Sequence, residues 1–355
     1  MMDIKSIGWN EHFESQIQIY REQGLITGRV LKEVRHLYEV ITEDGLVQSE
    51  VSGHFHFTAV QRSDYPTVGD WVVLRRSADT ALIEKVLQRQ SYFSRKTAGS
   101  KTEEQIVAAN IDYICIVCGL DGGRNFKLRG VERYIAMTVE GGAKPVLILN
   151  KSDICTDTKQ AVSDAEKICG NIPVFAVSAL TGKGIDEISA YFPQGSTIAF
   201  CGHSGTGKSS LINMLMKNNI MKTGSLRESD LRGKHTTTHK ELFFLQSGAM
   251  VIDTPGMREL QLWGDANSLQ DVFHEVAEAA ENCRFNDCTH QGEPGCAVKK
   301  LLDEGNLDQE RFENYLSMRA EMKFLESRVT EKGRAERKAH EKELSKTIKR
   351  FYKQK

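Results

Sequence analysis

The segment Gly202-His203-Ser204-Gly205-Thr206-Gly207-Lys208-Ser209 constrains this chain more than any other stretch, because it joins an apolar run, Thr197 to Cys201, to a helical run, Leu211 to Met216. Glycines at this spacing let backbone N–H groups turn inward around an anion, and a lysine and a hydroxyl at the start of the helix complete a phosphate cradle. Lys208 would neutralise the β and γ phosphates, and Ser209, with Ser210 beside it on the first turn, would join a Mg²⁺ shell. A glycine-rich strand-to-helix turn without a ligand is the plainer alternative, which the strand and helix on either side disfavour. A loop of this kind needs a parallel sheet with crossover helices to hold it.

The surrounding pattern supplies such a sheet. Apolar runs at Tyr113 to Val117, Pro145 to Leu149, Val174 to Val177 and Thr197 to Cys201 alternate with helical stretches near Leu128 to Val139 and Thr158 to Ile168, and runs at Glu241 to Leu245 and Met250 to Ile252 follow. Upstream, short β-rich runs at Leu25 to Val34, Tyr38 to Ile41, Leu46 to Phe57 and Trp71 to Leu74, broken by Gly45, Gly53 and Gly69, suit an OB-type β-barrel better than a sandwich. Ser91 to Glu104 turns polar and basic and reads as a linker. The expected division is an N-terminal barrel over residues 1–94, a central α/β domain over 95–268 and a C-terminal part over 269–355, as suits 355 residues.

A phosphate cradle does not choose a base. Asn150-Lys151-Ser152-Asp153 follows a buried strand, and a carboxylate at Asp153 can accept both N1–H and the exocyclic amine of guanine, whereas adenine offers no such pair of donors. Asn150 and Lys151 would tie this loop to the phosphate loop. Ser178-Ala179-Leu180, after the run ending at Val177, would offer a backbone contact to the guanine oxygen. Alone, the tetrapeptide is as compatible with a turn as with a site; its companions favour the site. Downstream, Asp253-Thr254-Pro255-Gly256 ends a strand, and residues 233–239 contain Thr236-Thr237-Thr238. Asp253 would hold Mg²⁺ through water, the Gly256 N–H would meet the γ-phosphate, and a threonine of the run would close the metal shell only while that phosphate is present. A polar surface loop is the other reading of the threonine run.

Cys283-x4-Cys288-x-His290-x5-Cys296 sets three thiols and an imidazole within fourteen residues. That donor set fills one structural Zn²⁺ shell and leaves no open position for water, and the metal would stand in for a core in a loop poor in apolar residues. Disulfides are the alternative, disfavoured in a chain whose other cysteines, Cys115, Cys118, Cys155, Cys169 and Cys201, are scattered. No apolar run approaches the length of a bilayer span and the first residues lack a signal-peptide pattern, so the expectation is a cytoplasmic chain without membrane contact. Net charge is -1, but Arg328 to Lys355 holds eleven Lys or Arg against four acids, with Phe351 and Tyr352 near its end. This arm suits an RNA backbone; a solvated helix face is the plainer alternative. Arg29, Lys32, Arg35, Arg62, Arg75 and Arg76 add positive charge to the barrel, a fold that commonly presents nucleic-acid surfaces.

The base loops precede the phosphate loop here, and both switch segments follow it, an order circularly permuted relative to ordinary GTPases. With the barrel-like start and the cysteine cluster, the chain closely resembles the RsgA family of bacterial GTPases that depend on the small ribosomal subunit. The resemblance covers nearly the whole chain. It implies a GTPase, bound to the 30S subunit and its 16S rRNA and cycling between GTP and GDP, that acts late in 30S maturation and is stimulated by that subunit; a monomer is expected. Within it, Gly233, Lys234, His235, Thr236, Thr237 and Thr238 correspond to the family's Gly-His-Thr-Thr-Thr-like switch with one inserted residue. Thr237 becomes the Mg²⁺ ligand and His235 the residue that orients water, with His239 a weaker rival; a purely polar role for His235, with the ribosome supplying the contact, stays open. Met257 stands where many GTPases carry a glutamine, so intrinsic hydrolysis should be slow. Two other classes remain: an RNA-binding scaffold whose nucleotide only stabilises the fold, and a GTPase that delivers zinc.

Overall fold

Short runs rich in β-branched, aliphatic and aromatic residues build the N-terminal barrel, described in a computed structural model that covers residues 2–34, 37–77, 80–96, 104–122, 128–219, 240–253 and 267–329. Helix α1 (Glu11–Arg21) starts at Asn10, whose side chain accepts from the His12 N–H. Strands β1 (Ile26–Val34), β2 (Leu37–Thr42), β3 (Gly45–Val51), β4 (Trp71–Ser77) and β5 (Thr80–Val86) pair in the order β1-β2-β3-β5-β4, and β4 pairs back with β1 to close the barrel. β3 and β5 run parallel and the other pairs antiparallel, the arrangement of an OB-type barrel. Val30, Tyr38, Val40, Val72, Leu74 and Ile83 fill its interior. The run from Leu46 does not continue as strand to Phe57: Ser52 accepts from the Phe55 N–H and starts helix α2 (Gly53–Thr58).

The stretch expected to be a linker is partly a hairpin, β6 (Tyr92–Lys96) against β7 (Glu104–Ala109). Phe93 of β6 and Ile106, Val107, Ala108 and Ala109 of β7 are buried, so the hairpin packs into the unit rather than merely connecting two parts of it. Beyond it come β8 (Tyr113–Gly119), α3 (Leu128–Glu140), β9 (Lys144–Asn150), α4 (Thr158–Cys169), β10 (Val174–Ala176), α5 (Ile185–Tyr191), β11 (Thr197–Cys201), α6 (Lys208–Asn219), β12 (Lys240–Phe244) and β13 (Met250–Asp253). Strands β10, β9, β8, β11 and β13 lie side by side and parallel, packed through Val117, Val146, Ile148, Ile198, Leu211 and Val251. β12 is antiparallel to β13 and, on its other edge, to β1 of the barrel. One sheet therefore runs from the α/β layer into the barrel, and both belong to one compact unit, Met1–Thr97 with Glu103–Leu260.

At that junction Arg29 is buried, so its charge is not part of the barrel's exposed surface. Its guanidinium donates to the carbonyls of Ile7 (2.5 Å), Gly69 (3.2 Å) and Asn110 (3.1 Å) and to Thr197 Oγ1 (2.8 Å), and it lies over the Trp71 ring. Burial pushes its pKa down to about 10, with the charges of Asp112 and Asp70 opposing. Five donors in a fixed fork let one cation satisfy several carbonyls from separate segments, which a lysine would not do. Lys32 is held at the same seam by Glu241, while Arg75 and Arg76 are exposed beside Glu84 and Asp44; Arg35 lies outside the described residues.

The second unit contains α7 (Asn267–Val272), α8 (His274–Ala280), α9 (Ala297–Asp303) and the 21-residue α10 (Gln309–Val329). Leu269, Phe273, Val276, Val298 and Phe312 are buried, and Arg311 of α10 bonds Glu275 and the Val272 carbonyl. Among the described residues no helix is long and apolar enough to cross a membrane.

Arg29→Met keeps much of the volume but leaves the acceptors at Ile7, Asn110 and Thr197 without the guanidinium donor, while the Gly69 carbonyl keeps the Asn110 amide. The expected outcome is a loss of about 3 kcal/mol in unfolding free energy, read as a lower urea midpoint for this unit with the slope unchanged.

Candidate functional site

In a parallel sheet, loops at the carboxyl ends of the strands converge on one edge, and ligands bind there. Four of the sequence-predicted segments follow such ends: Asn150 to Asp153 after β9, Ser178 to Leu180 after β10, Gly202 to Lys208 after β11, and Asp253 closing β13. β9 and β11 flank β8, so two strand spacings, about 10 Å, separate the base-side loop from the phosphate loop. That separation suits the two ends of one nucleotide.

The phosphate loop is held open by backbone that only glycine adopts easily. Gly202 has φ 130°, and a Cβ there would sit 2.3 Å from the Val117 carbonyl oxygen; at Gly207, with φ 91°, it would meet Asn150 Nδ2 at 2.3 Å. Thr206 Oγ1 donates to the His203 carbonyl at 3.0 Å, and Lys208 Nζ donates to the carbonyls of Gly202 (2.7 Å) and His203 (2.6 Å), so the ammonium lies across the mouth of the loop. Ser204 and Gly205 are exposed, while Ser209 and Ser210 stand on the first turn of α6, where helix N–H groups point outward. His203 packs edge-on against Tyr134 of α3.

Asn150 joins the two ends of the site. Buried at 2% exposure, it donates from Nδ2 to the Thr206 carbonyl at 2.9 Å and accepts at Oδ1 from the Ala179 N–H at 3.0 Å. One amide thus fixes the phosphate loop and the Ser178 loop together. Lys151 takes a left-handed backbone, φ 66°, and pairs with Asp121 at 2.5 Å. Ser178 is fully buried and its hydroxyl accepts from the Thr181 N–H, while Asp153 stays exposed at the rim. Asp121 was missed by sequence reasoning: it stands beyond the end of β8 and outside any motif, and only the pairing of β8 with β9 brings it to Lys151.

His235, Thr237 and the rest of 233–239 lie outside the described residues, as do Thr254, Gly256 and Met257, and the basic arm from residue 330. For a magnesium ion the described part offers hard oxygen donors, the Ser209 hydroxyl on the first turn of α6 and the Asp253 carboxylate at the end of β13, the strand beside β11. That donor chemistry fits Mg²⁺, which takes few protein ligands and keeps waters.

In the second unit Cys283, Cys288, His290 and Cys296 place their ligand atoms within 4.8 Å of one another. Cys283 Sγ lies 4.0 Å from Cys296 Sγ and 3.7 Å from His290 Nδ1, which is 3.5 Å from Cys296 Sγ. Ligands about 2.3 Å from a central ion stand about 3.8 Å apart at the corners of a tetrahedron, so the cluster fits Zn²⁺. Burial raises the Cys283 thiol, but hydrogen bonds from the N–H groups of Ala297 and Val298 and with Cys288 and Cys296 together outweigh this and the net direction is down, toward the thiolate that binds metal, while burial pushes the neighbouring Cys288 thiol up to about 11. Burial and Arg319 lower the His290 pKa, which keeps the neutral imidazole a ligand needs. Arg319 of α10 also donates to the Thr289 carbonyl at 2.7 Å, tying the loop to that helix.

The sequence model of the RsgA GTPase family matches residues 86–263. A model of the ABC transporter family matches 185–351, a span that contains the phosphate loop but neither Asn150 nor Asp153. The chain is 40% identical over 339 residues to the small ribosomal subunit biogenesis GTPase RsgA of Opitutus terrae, covering 92% of each. It is also 40% identical over 355 residues to small ribosomal subunit biogenesis GTPase RsgA 2 of Lactiplantibacillus plantarum, covering 99% of each. Among solved structures, YjeQ from Thermotoga maritima superposes with a TM-score of 0.64 at 26% identity, over 84% of this chain and 98% of that one. YloQ, described as a circularly permuted GTPase, gives 0.62 at 23% identity over 84% and 95%, a likeness of fold.

Cys288→Ala is expected to abolish stoichiometric zinc retention after dialysis and to expose the second unit to proteolysis, because a shell with three protein ligands no longer replaces a core. Elemental analysis and limited digestion read both effects. In Asp153→Asn a side-chain amide would face the two donors of guanine: GTP affinity is expected to fall by two orders of magnitude or more while xanthosine triphosphate, with a carbonyl in place of the amine, binds better. Titration with both nucleotides checks it.

Proposed function

This chain belongs to the RsgA GTPase family, and on that footing we propose that it binds the small ribosomal subunit, assists its late maturation, and hydrolyses GTP to GDP and phosphate under stimulation by that subunit. The observation that carries the nucleotide half of this reading is the Asn150 amide, bonded at once to Thr206 and Ala179. It joins a loop suited to phosphates to loops suited to guanine. In this reading Gly202, His203, Ser204, Gly205, Thr206, Gly207, Lys208, Ser209 and Ser210 line the phosphates, and Asn150, Lys151, Asp153, Ser178 and Ala179 the base. Lys208 swings from the carbonyls it now caps to the β and γ phosphates. Ser209 and Thr237, with Asp253 through water, would hold Mg²⁺, which would supply charge neutralisation at the phosphate oxygens. Gly256 donates its N–H to the γ-phosphate, and His235 orients the attacking water, a task Met257 cannot perform.

Partner binding is divided among three functional modules in this proposal, 1–94, 95–268 and 269–355. The barrel and the basic arm from Arg328 to Lys355 contact 16S rRNA, the cysteine cluster holds one structural zinc, and the protein works in the cytoplasm as a monomer. GTP orders the Thr237 and Asp253 segments and favours subunit binding; hydrolysis releases it. A scaffold with an idle nucleotide predicts no stimulated turnover, and a zinc-delivery GTPase predicts exchangeable metal, whereas four closed ligands predict retention.

Turnover by the intact chain is expected to be slow alone and to rise at least tenfold with purified 30S subunits, while His235→Ala loses most of the stimulated rate with nucleotide affinity intact. Subunit affinity is expected to be higher with a non-hydrolysable GTP analogue than with GDP. Unstimulated turnover together with equal affinities would refute the proposal.

A further inference from the structure

The seam between barrel and α/β sheet carries a row of charges that leads to the nucleotide site. Lys32 of β1 stands opposite Glu241 of β12, and Glu241 stands opposite Asp253 of β13. Directly opposed residues in a sheet project from the same face with Cβ atoms about 5 Å apart, so one ammonium and two carboxylates line up across three strands. Lys32 Nζ is 2.8 Å from Glu241 Oε2, and the two side chains are only 26% and 20% exposed. The next row has the reverse polarity, Glu33 opposite Lys240 at 3.8 Å, and Lys240 also reaches Thr67 Oγ1 at 3.3 Å. These crossed pairs fix the register, since a slip of one residue brings Lys32 against Lys240 and turns every side chain to the wrong face.

Two carboxylates opposite one another repel, and the Glu241 charge beside Asp253 changes how strongly that end of β13 attracts a cation or tolerates a triphosphate. Among the described residues the opposing charge in this row comes from β1, which belongs to the barrel rather than to the α/β layer.

We propose that Lys32 is a positioning residue for the nucleotide site: by neutralising Glu241 it sets the electrostatic potential at Asp253, so that the barrel strand determines how much Mg²⁺ nucleotide binding requires. This rests on Asp253 acting on the metal side of the site. The barrel is then part of the nucleotide machinery as well as a docking module, because any change in how β1 meets β12 alters the charge beside Asp253.

The test is the Mg²⁺ midpoint for binding a fluorescent GTP analogue to the full chain, measured at equilibrium and so independent of turnover. Lys32→Gln leaves Glu241 uncompensated and is expected to lower the midpoint about two- to fivefold, the scale of one partly screened charge a strand or two away. Glu241→Gln removes the acid and is expected to raise it by a similar factor. The double variant returns toward the wild-type value, and Lys32→Arg stays there. Both single variants shifting the same way, neither shifting, or a double variant as displaced as the singles overturns the proposal, because a merely structural ion pair loses affinity on either side and regains nothing. Asp253→Asn separates the two layers. If it raises the midpoint strongly while the row variants match wild type, only the role of Lys32 fails; if it leaves the midpoint unmoved, the metal-side reading of Asp253 falls and this one with it.

Discussion

The burial of Arg29 is the constraint on which the first unit turns. A guanidinium taken out of water must have its donors satisfied, and here the acceptors come from the N-terminal segment (Ile7), the turn before β4 (Gly69), the residue after β7 (Asn110) and the first residue of β11 (Thr197). Those segments are far apart in the chain and must converge together. Because Thr197 begins the strand whose other end is the phosphate loop, the barrel and the nucleotide edge share a rigid foundation.

On that foundation the permuted order of motifs costs the site nothing. Loops meet at the carboxyl edge because their strands are parallel neighbours, whatever their order along the chain. β9 carries the base-side loop, β11 the phosphate loop and β13 Asp253, and the Asn150 amide stitches the first two. What permutation changes is which elements adjoin the site. β12 has the barrel as its other neighbour, so a domain expected to grip RNA is hydrogen-bonded to the strand next to Asp253.

The zinc-type cluster solves a different problem. The loop between α8 and α9 has little apolar content, and Cys283, Cys288, His290 and Cys296 converge where a hydrophobic core would otherwise be needed. Arg319 and the first turn of α9 brace the loop, so the ligands are held by their own helices.

Local chemistry was legible in the sequence wherever one short segment carries it. The glycine spacing of 202–209 and the four clustered cysteine and histidine donors could each be read without coordinates, because the conformations they demand are set by residues a few places apart. The barrel strands were visible as short β-rich runs broken by glycines, although Ser52 turned the end of one run into a helix. Hidden were the features made by residues distant in sequence: the burial of an arginine that looked like surface charge, the Asp121 partner of Lys151, and the row from Lys32 through Glu241 to Asp253. Charge type and spacing can be read along a chain, but burial and cross-strand register depend on which strands become neighbours, and only the closed three-dimensional sheet decides that.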